Sequence, residues 1–338
     1  MKSSISVLGA GSWGTALAIL AARNGCQTLL WGHNPEHMAC LSKDKENKHY
    51  LPGLTFPESL SITDNLEEAL NFSDLILLSI PSHAFKNTLI NIKPFLKSNT
   101  RIAWATKGFN TEDGSLLSEI VEQELSKEIH TAILSGPTFA REVANGLPTA
   151  ITVASETPDF SSQLANIFHN QYFRTYTSQD IIGVQVGGAI KNVLAIAAGI
   201  ADGLGFGANT RAALITRGLQ EIIRLGIKLG GQPETFMGLT GLGDLILTCT
   251  DDQSRNRRFG LALGKGKNRK EAIEEIGQEI EGVSAARETY LLSLKHNIDM
   301  PITEQTYKVL YETLDPRIAV QNLLARNQKA EVASGLNL

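Results

Sequence analysis

The sequence predicts an α/β protein in which an N-terminal parallel-sheet domain is followed by an all-helical C-terminal domain. In the first half, short apolar runs typical of strands alternate with amphipathic stretches, as in βαβ units. After about residue 178 the strand signals fade, and apolar residues recur at the three- and four-residue spacing of helices. We therefore expect a first domain over residues 1–180 and a second over residues 181–338.

Each predicted element of the first domain has its own local signal. Six apolar runs have the length of strands, and they cover residues 5–8, 28–31, 75–80, 102–106, 132–134 and 150–154. A helix is predicted over residues 15–23, and Asn34 is placed to cap a helix that begins with Pro35. Asp64 and Glu67 resemble a capping box at the start of a further helix.

The second domain is predicted to be helical to its end. Apolar residues at helical spacing occur over residues 186–204, 208–229, 287–295, 303–314 and 318–326. Asp315 and Pro316 supply a cap and a first residue for the last of these helices.

The composition is that of an ordinary globular chain. Its 338 residues, 42% of them hydrophobic, can supply two cores, and its net charge of -4 gives no general attraction to nucleic acid. The longest strongly apolar run, residues 193–201, is about half as long as a membrane-spanning helix, so we expect no membrane insertion. Cys26, Cys40 and Cys249 are too scattered for a disulfide framework or a metal site, and they suit a reducing cytoplasm.

A glycine-rich turn is the first candidate binding element. Gly9, Gly11 and Gly14 have the spacing GxGxxG between an apolar run and a helix rich in Ala and Leu. Gly9 permits the tight turn, Gly11 lets the backbone approach a pyrophosphate, and Gly14 lets helix and strand pack closely. The N–H groups at the start of the helix would face that anion. The pattern predicts a Rossmann-type domain that binds NAD or NADP.

The end of the second predicted strand leaves the choice between these cofactors open. An acidic residue at this position binds the ribose 2′-hydroxyl of NAD and repels a 2′-phosphate. Here the run is followed by Gly32, His33 and Asn34, and the first acid is Glu36. His33 could bind a 2′-phosphate, which admits NADP beside NAD, or it could be an exposed turn histidine without a ligand.

Two lysines are candidates for the chemistry. Lys107 follows the run 102–106 at the carboxyl end of the predicted sheet, where ligands of open parallel sheets bind. Lys191 lies in the apolar segment GGAIKNVLAIAAG, where a charge is costly without a partner. Burial and a neighbouring cation such as Lys107 would lower its pKa towards the range useful for acid–base catalysis. The alternatives are a surface lysine at a strand end and a lysine that covers apolar surface with its stem.

A basic cluster follows a second glycine-rich segment. In GLTGLGDLILTCTDDQSRNRRFG, glycines surround Asp244, and Ser254, Arg255 and Asn256 follow. Arginine presents a planar fork to phosphate oxygens, while Ser and Asn add neutral hydrogen bonds. In a chain of negative net charge the cluster indicates a small phosphorylated ligand, and a solvated helix start is the alternative.

Together these segments closely resemble the bacterial NAD(P)-dependent sn-glycerol-3-phosphate dehydrogenases. The likeness runs through GAGSWGTALA, WATKGF, SGPTFA, GGAIKNVLAIAAG, GLGDLILTCTDDQSRNRRFG and MPITE, and it covers nearly the whole chain. It implies an enzyme that uses NADP or NAD to interconvert dihydroxyacetone phosphate and sn-glycerol 3-phosphate, feeding phospholipid synthesis. We expect it in the cytoplasm, with the helical half supplying the interface of a homodimer.

The resemblance also implies roles for individual residues. Lys191 would be the proton donor and acceptor, and Lys107 would contact both cofactor and substrate. From the residue chemistry we expect Asp244 to orient Lys191. With the glycine turn and His33, the cofactor site comprises Gly9, Gly11, Ser12, Trp13, Gly14, His33, Lys107, Ala140, Arg255 and Glu281. The substrate site comprises Lys107, Gly136, Thr138, Lys191, Asn192, Asp244, Ser254, Arg255 and Asn256. The segment EIEGVSAA, which contains Glu281, departs from the family's usual EGY-type segment.

Two other functions remain open from the residues alone. A dehydrogenase of a 3-hydroxy acid or a sugar-acid phosphate would explain Lys107 and Lys191 but leave the cluster at Arg255 without a clear purpose. A non-catalytic NADPH sensor would bind the cofactor without turnover, and it would not explain a lysine in an apolar helix.

Overall fold

An eight-stranded sheet organises the first half of the computed structural model, which describes residues 3–125 and 128–327. The strands are β1 Ser4–Leu8, β2 Gln27–Trp31, β3 Glu46–Asn47, β4 Leu51–Thr55, β5 Leu60–Thr63, β6 Leu75–Leu78, β7 Arg101–Trp104, β8 Thr131–Ser135, β9 Thr149–Ala154 and β10 Phe173–Ser178. Of these, β3 and β4 form a separate two-stranded hairpin. Across the sheet the order is β10-β9-β8-β7-β6-β1-β2-β5. Neighbouring strands are parallel except β8 and β9, which are antiparallel. The predicted α/β class is confirmed, with a reversal of strand direction near one edge.

Helices cover both faces of the sheet and make up the second half of the described chain. Those of the first half are α1 Ser12–Arg23, α2 Pro35–Asp44, α3 Leu66–Phe72, α4 Ser82–Ile92, α5 Leu117–Glu124, α6 Ala140–Ala144 and α7 Pro158–Phe168. Those of the second half are α8 Ile181–Gly203, α9 Ala208–Lys228, α10 Pro233–Met237, α11 Asp244–Thr250, α12 Arg255–Gly264, α13 Arg269–Ile276, α14 Glu281–His296, α15 Pro301–Tyr311 and α16 Pro316–Leu324. The predicted helical second half is confirmed.

The helix caps follow the sequence with one correction. Asn34 caps α2 through its side chain, as predicted. The capping box expected at Asp64 and Glu67 is wrong, because the cap lies one residue later. Asn65 Oδ1 accepts the backbone N–H of Glu68 at 3.1 Å, so that α3 begins at its next residue.

The strand order places the glycine turn at a switch point of the sheet. β1 lies between β6 and β2, where the order of the strands reverses along the chain. In open α/β sheets, ligands bind outside the carboxyl ends of the strands at such a point. The turn that joins β1 to α1 therefore lies where a cofactor is expected.

The central helix of the second half is α8. It is long and apolar enough to cross a membrane, but 94% of its apolar window is buried inside the protein. Helix α12 crosses it closely: a Cβ on Gly199 would lie 2.1 Å from the carbonyl oxygen of Arg257, and one on Gly260 would lie 2.1 Å from that of Ile196. Because no side chain fits between the two helices, the start of α12 is held directly against the middle of α8.

Candidate active site

A cleft of about 690 Å³ lies between the carboxyl ends of the strands and the helical half. Most residues predicted for the two sites line it: Gly9, Gly11, Ser12, Trp13, His33, Lys107, Thr138, Ala140, Lys191, Asn192, Ser254, Arg255, Asn256 and Glu281. Gly14, Gly136 and Asp244 lie behind this wall and support it. The structure thus brings the predicted residues of both halves to one cavity.

The glycine turn has the shape of a pyrophosphate cradle. Gly9 has a φ of +122°, and a Cβ there would lie 2.2 Å from the carbonyl oxygen of Ser79. A Cβ on Gly14 would lie 1.9 Å from the carbonyl oxygen of Gly9, so the helix packs onto the turn. Gly11 is the N-cap of α1 and has open space where a side chain would project. The helix N-terminus is therefore free to accept an anion.

Polar atoms beside the turn also suit a dinucleotide. Trp13 lines the cleft, and its Nε1 is buried without a hydrogen-bond partner among the described residues. Ser12 Oγ donates to the carbonyl oxygen of Tyr50 at 2.9 Å, which ties the turn to the hairpin of β3 and β4. A buried donor without a partner is costly, and a bound cofactor would satisfy it.

Two lysines of the cleft share one buried carboxylate that lies behind its wall. Lys191 Nζ lies 2.6 Å from Asp244 Oδ1, and Lys107 Nζ lies 2.7 Å from Asp244 Oδ2. Asp244 is fully buried, and the side chains of Lys191 and Lys107 are only 7% and 11% exposed. Lys191 also donates to Thr248 Oγ1 at 2.9 Å, and Lys107 donates to the carbonyl oxygen of Gly136 at 3.2 Å. The two ammonium groups are thus oriented by the protein itself.

The protonation of Lys191 is set by three opposing effects. Burial lowers its pKa most strongly, the charge of Asp244 raises it, and the charge of Lys107 lowers it. The net result lowers the pKa of Lys191 to about 8. A group with such a pKa can both give and take a proton near neutral pH.

Small residues make this close arrangement of charges fit. A Cβ on Gly188 of α8 would lie 2.8 Å from Ser135 Oγ and 3.7 Å from Lys107 Cγ. A Cβ on Gly241, in the π-helical turn Leu239–Gly243 before Asp244, would lie 2.0 Å from a backbone oxygen of α10. Gly188 lets the end of β8 and the Lys107 side chain approach α8, and Gly241 lets the turn that leads to Asp244 pack on α10.

The start of α12 forms the other wall of the cleft. Ser254 caps this helix by accepting the N–H of Arg257 at 3.2 Å. Asn256 donates to Asn192 Oδ1 at 3.0 Å and accepts the N–H of Gly282 at 2.9 Å, so its side chain is held in place. Arg257 is buried and pairs with Asp202, away from the cleft. Of the predicted arginine cluster, only its first and last members, 255 and 258, line the cavity.

Glu281 faces the cations of the cleft from the start of α14. Burial raises the pKa of its carboxyl, and the charges of Arg255, Lys107 and Lys191 offset only part of this increase. Thr138 lines the same cavity and donates to the carbonyl oxygen of Gly136 at 3.1 Å. These contacts place both residues beside the lysine pair.

Several cleft residues were not predicted from the sequence. They are Asn34, His37, His49, Tyr50, Phe139, Arg141, Thr248, Gln253 and Gln278, among others. Thr248 had an available signal, because it lies four residues after Asp244 on the same helix face. His49 and Tyr50 had none, because the turn that brings them to the cleft depends on tertiary contacts.

Comparison with known proteins gives the family. The model of the N-terminus of NAD-dependent glycerol-3-phosphate dehydrogenase matches residues 4–161, and the model of its C-terminus matches residues 180–321. The chain belongs to the NAD-dependent glycerol-3-phosphate dehydrogenase family. These matches confirm the predicted family and the predicted cofactor, NAD or NADP. They also confirm the prediction of an NAD(P)-dependent oxidoreductase with glycerol-3-phosphate dehydrogenase activity.

Individual relatives of this dehydrogenase family agree with the models. The chain is 54% identical over 332 residues to glycerol-3-phosphate dehydrogenase [NAD(P)+] of Colwellia psychrerythraea. The aligned region covers 98% of this chain and 99% of the relative. It is 56% identical, also over 332 residues and with the same coverage, to the protein of that name from Methylococcus capsulatus. The crystal structure of glycerol-3-phosphate dehydrogenase from Coxiella burnetii is 49% identical, with a TM-score of 0.94 over 96% of this chain and 99% of that one.

Proposed function

We propose that the cleft interconverts dihydroxyacetone phosphate and sn-glycerol 3-phosphate, with Lys191 as the proton donor for reduction and the acceptor for oxidation. The observation that carries this proposal is the buried amine of Lys191 on the carboxylate of Asp244. Its pKa, lowered to about 8, makes both protonation states accessible near neutral pH. Acid–base assistance of this kind contributes about 10²–10⁴ in rate.

The chemistry divides between the cofactor and the chain. A bound nicotinamide supplies or accepts the hydride at the C2 carbon of the substrate. Lys191 hydrogen-bonds the C2 oxygen and delivers its proton as the alkoxide develops. Lys107, held on the same carboxylate, adds a second positive charge near that oxygen. Asp244 touches both lysines and acts as the positioning residue for them.

The phosphate of the substrate belongs at the start of α12. Arg255 presents a guanidinium fork to the cleft, and Asn256 is held beside Asn192 by its hydrogen bond. Ser254, Gly136 and Thr138 complete the surroundings of the substrate. A substrate with a carboxylate alone would leave this wall without a ligand, which favours the phosphorylated substrate over a 3-hydroxy acid.

The cofactor would extend from the lysine pair to the end of β2. Gly9, Gly11, Ser12, Trp13 and Gly14 would hold its pyrophosphate. Further contacts are assigned to His33, Lys107, Ala140, Arg255 and Glu281. NADP and NAD both fit this assignment, since β2 is not followed by a carboxylate that lines the cleft.

Oxidation of NADPH and, separately, of NADH by the purified protein with dihydroxyacetone phosphate tests the proposal. We expect turnover with at least one cofactor and its near-complete loss in Lys191→Ala, with cofactor binding retained. No oxidation with either cofactor would refute the reaction. Turnover at the wild-type rate in Lys191→Ala would remove that residue from the mechanism.

We also propose three points of finer organisation. A boundary between residues 1–180 and 181–338 is supported by Asp180, which caps α8 where the helical half begins. A homodimer with its interface on the helical half is testable by light scattering, and a monomer across micromolar concentrations would contradict it. A cytoplasmic role in phospholipid synthesis, without nucleic acid or membrane insertion, is testable by fractionation of cells.

A further inference from the structure

A group of ion pairs lies behind the start of α12, outside the cleft. Asp202, near the C-terminal end of α8, pairs through Oδ2 with Arg257 Nη1 of α12 and, at 2.6 Å, with Arg211 Nη1 of α9. The side chains of Arg257 and Asp202 are only 9% and 10% exposed. None of these three residues lines the cleft. We call Asp202, Arg211 and Arg257 the Asp202 cluster.

Arg257 is held by its backbone as well as by its side chain. Its N–H donates to Ser254 Oγ at 3.2 Å, and its Nε lies 3.0 Å from Asp252 Oδ1 in the loop before the helix. A Cβ on Gly199 would lie 2.1 Å from the carbonyl oxygen of Arg257, so the backbone of this residue rests directly on α8. One arginine therefore ties the first turn of α12 both to α8 and to the preceding loop.

The cluster joins the two walls to which the proposed function assigns the two ends of the substrate. Helix α8 carries Lys191, and the start of α12 carries Arg255 and Asn256. Because Arg257 follows these two residues directly, its anchor on Asp202 restricts the movement of their backbone relative to α8. A planar guanidinium that faces two carboxylates has a defined orientation, which a single-point contact would not give.

Stability alone does not account for a buried arginine at this place. Replacing a buried ion pair by apolar side chains of similar volume is often neutral or stabilising. Arg211 shares the carboxylate of Asp202 with Arg257, but it belongs to α9, of which no residue from 208 to 228 lines the cleft. Loss of either arginine leaves Asp202 with one cation. The two arginines therefore differ in whether they hold a wall of the site.

We propose that Arg257 is a positioning residue, which fixes the start of α12 relative to Lys191 so that the phosphate and the C2 carbonyl of the substrate are held together in the reactive geometry. The inference rests on the proposed function, because it requires the substrate phosphate to bind at Arg255 and Asn256. Binding of a remote group accelerates a reaction only when that group is held in register with the reacting atoms. A misplacement of about 1 Å can lower the rate about 100-fold.

The test compares reduction of dihydroxyacetone phosphate with reduction of dihydroxyacetone, which lacks the phosphate, at saturating cofactor. In Arg257→Met we expect kcat/KM for the phosphorylated substrate to fall about tenfold or more, and that for dihydroxyacetone to change by less than about twofold. The inhibition constant of sn-glycerol 3-phosphate should rise by a similar factor. Arg211→Met is the matched control, because it removes the other cation from Asp202 and leaves α12 anchored. It should change none of these values by more than about twofold.

Asp202→Asn is a second test that keeps the shape of the anchor and removes its charge. It should reproduce the selective loss for the phosphorylated substrate, and it decides the question if Arg257→Met does not fold. Equal losses with both substrates, or equal effects of Arg257→Met and Arg211→Met, would overturn the proposal. The wild-type enzyme separates the two hypotheses. Its turnover of dihydroxyacetone phosphate supports the proposed function even when Arg257 behaves like its control, whereas absence of that turnover would refute both.

Discussion

Replacing Asp244 by Asn tests the electrostatic basis of the site. The substitution keeps the shape of the side chain but removes the charge that lies 2.6 Å from Lys191 Nζ and 2.7 Å from Lys107 Nζ. In the native protein this charge opposes the effects of burial and of Lys107 on Lys191. Without it, only the two effects that lower the pKa of Lys191 remain.

The size of the effect follows from that balance. With a pKa of about 8, Lys191 carries its proton in about nine of ten molecules at pH 7. Loss of an opposite charge in contact lowers a pKa by about 1 to 3. A decrease of about 2 would leave about one molecule in ten protonated at pH 7. Reduction at pH 7 should therefore fall about tenfold below the acid plateau of the variant, beyond any loss from misorientation.

The assay is the dependence of kcat/KM on pH for reduction of dihydroxyacetone phosphate. Wild-type activity should decline above about pH 8, and the decline should begin at lower pH by about 1 to 3 in Asp244→Asn. Thr248→Val is the matched control, because it removes a neutral hydrogen bond from Lys191 and should move the decline far less. A slower Asp244→Asn enzyme whose decline stays near pH 8, with unchanged melting temperature, would refute the reasoning.

Three further predictions concern stability. Glu288 is 3% exposed, and burial raises the pKa of its carboxyl to about 8. The neutral carboxyl therefore favours the folded state below about pH 4.3, and this contribution is lost as the pH rises to about 8. Glu288→Gln should have a higher melting temperature than the wild type at pH 9 but not at pH 5. Asp180 accepts the N–H of Gly183 at 2.7 Å and that of Gln232 at 2.8 Å, so Asp180→Ala should cost about 2–3 kcal/mol in urea denaturation, and a cost below about 0.5 kcal/mol would contradict this. Gly260→Ala would place a Cβ 2.1 Å from a carbonyl oxygen of α8 and should lower both stability and kcat. Its control Gly207→Ala, at the N-cap of α9 with no atom within 4 Å of the new Cβ, should cost far less stability and leave kcat unchanged.

The sequence predicts the buried elements of the fold better than the exposed ones. Strands β1, β6, β7 and β8 are apolar runs, and each was predicted because both faces of the sheet are covered. The edge strands β5 and β10 were missed, since β10 has the sequence FRTYTS and buries only its first residue. The antiparallel pairing of β9 with β8 also has no local signal, because strand direction depends on the connection between elements and not on residue type.

For the site, predictability depended on whether a residue breaks the pattern around it. Lys191 is conspicuous in an apolar helix, and a charge there requires a partner. His37 follows a helical pattern that needs no special explanation, so its place in the cleft emerges only from the packing of α2. The sharing of Asp244 between two lysines is equally invisible, since Lys107 is separated from it by 137 residues.

The location of Lys191 in the middle of α8 has a consequence for how the enzyme loses activity on heating. Sites built on surface loops often open before the rest of a protein, because loops have the lowest local stability. Here the reactive amine lies on the most deeply packed helix of the second half, which α9, α11, α12 and α14 surround. Local opening cannot release it without dismantling the helical core. Thermal inactivation and the calorimetric unfolding of the helical half should therefore coincide in temperature.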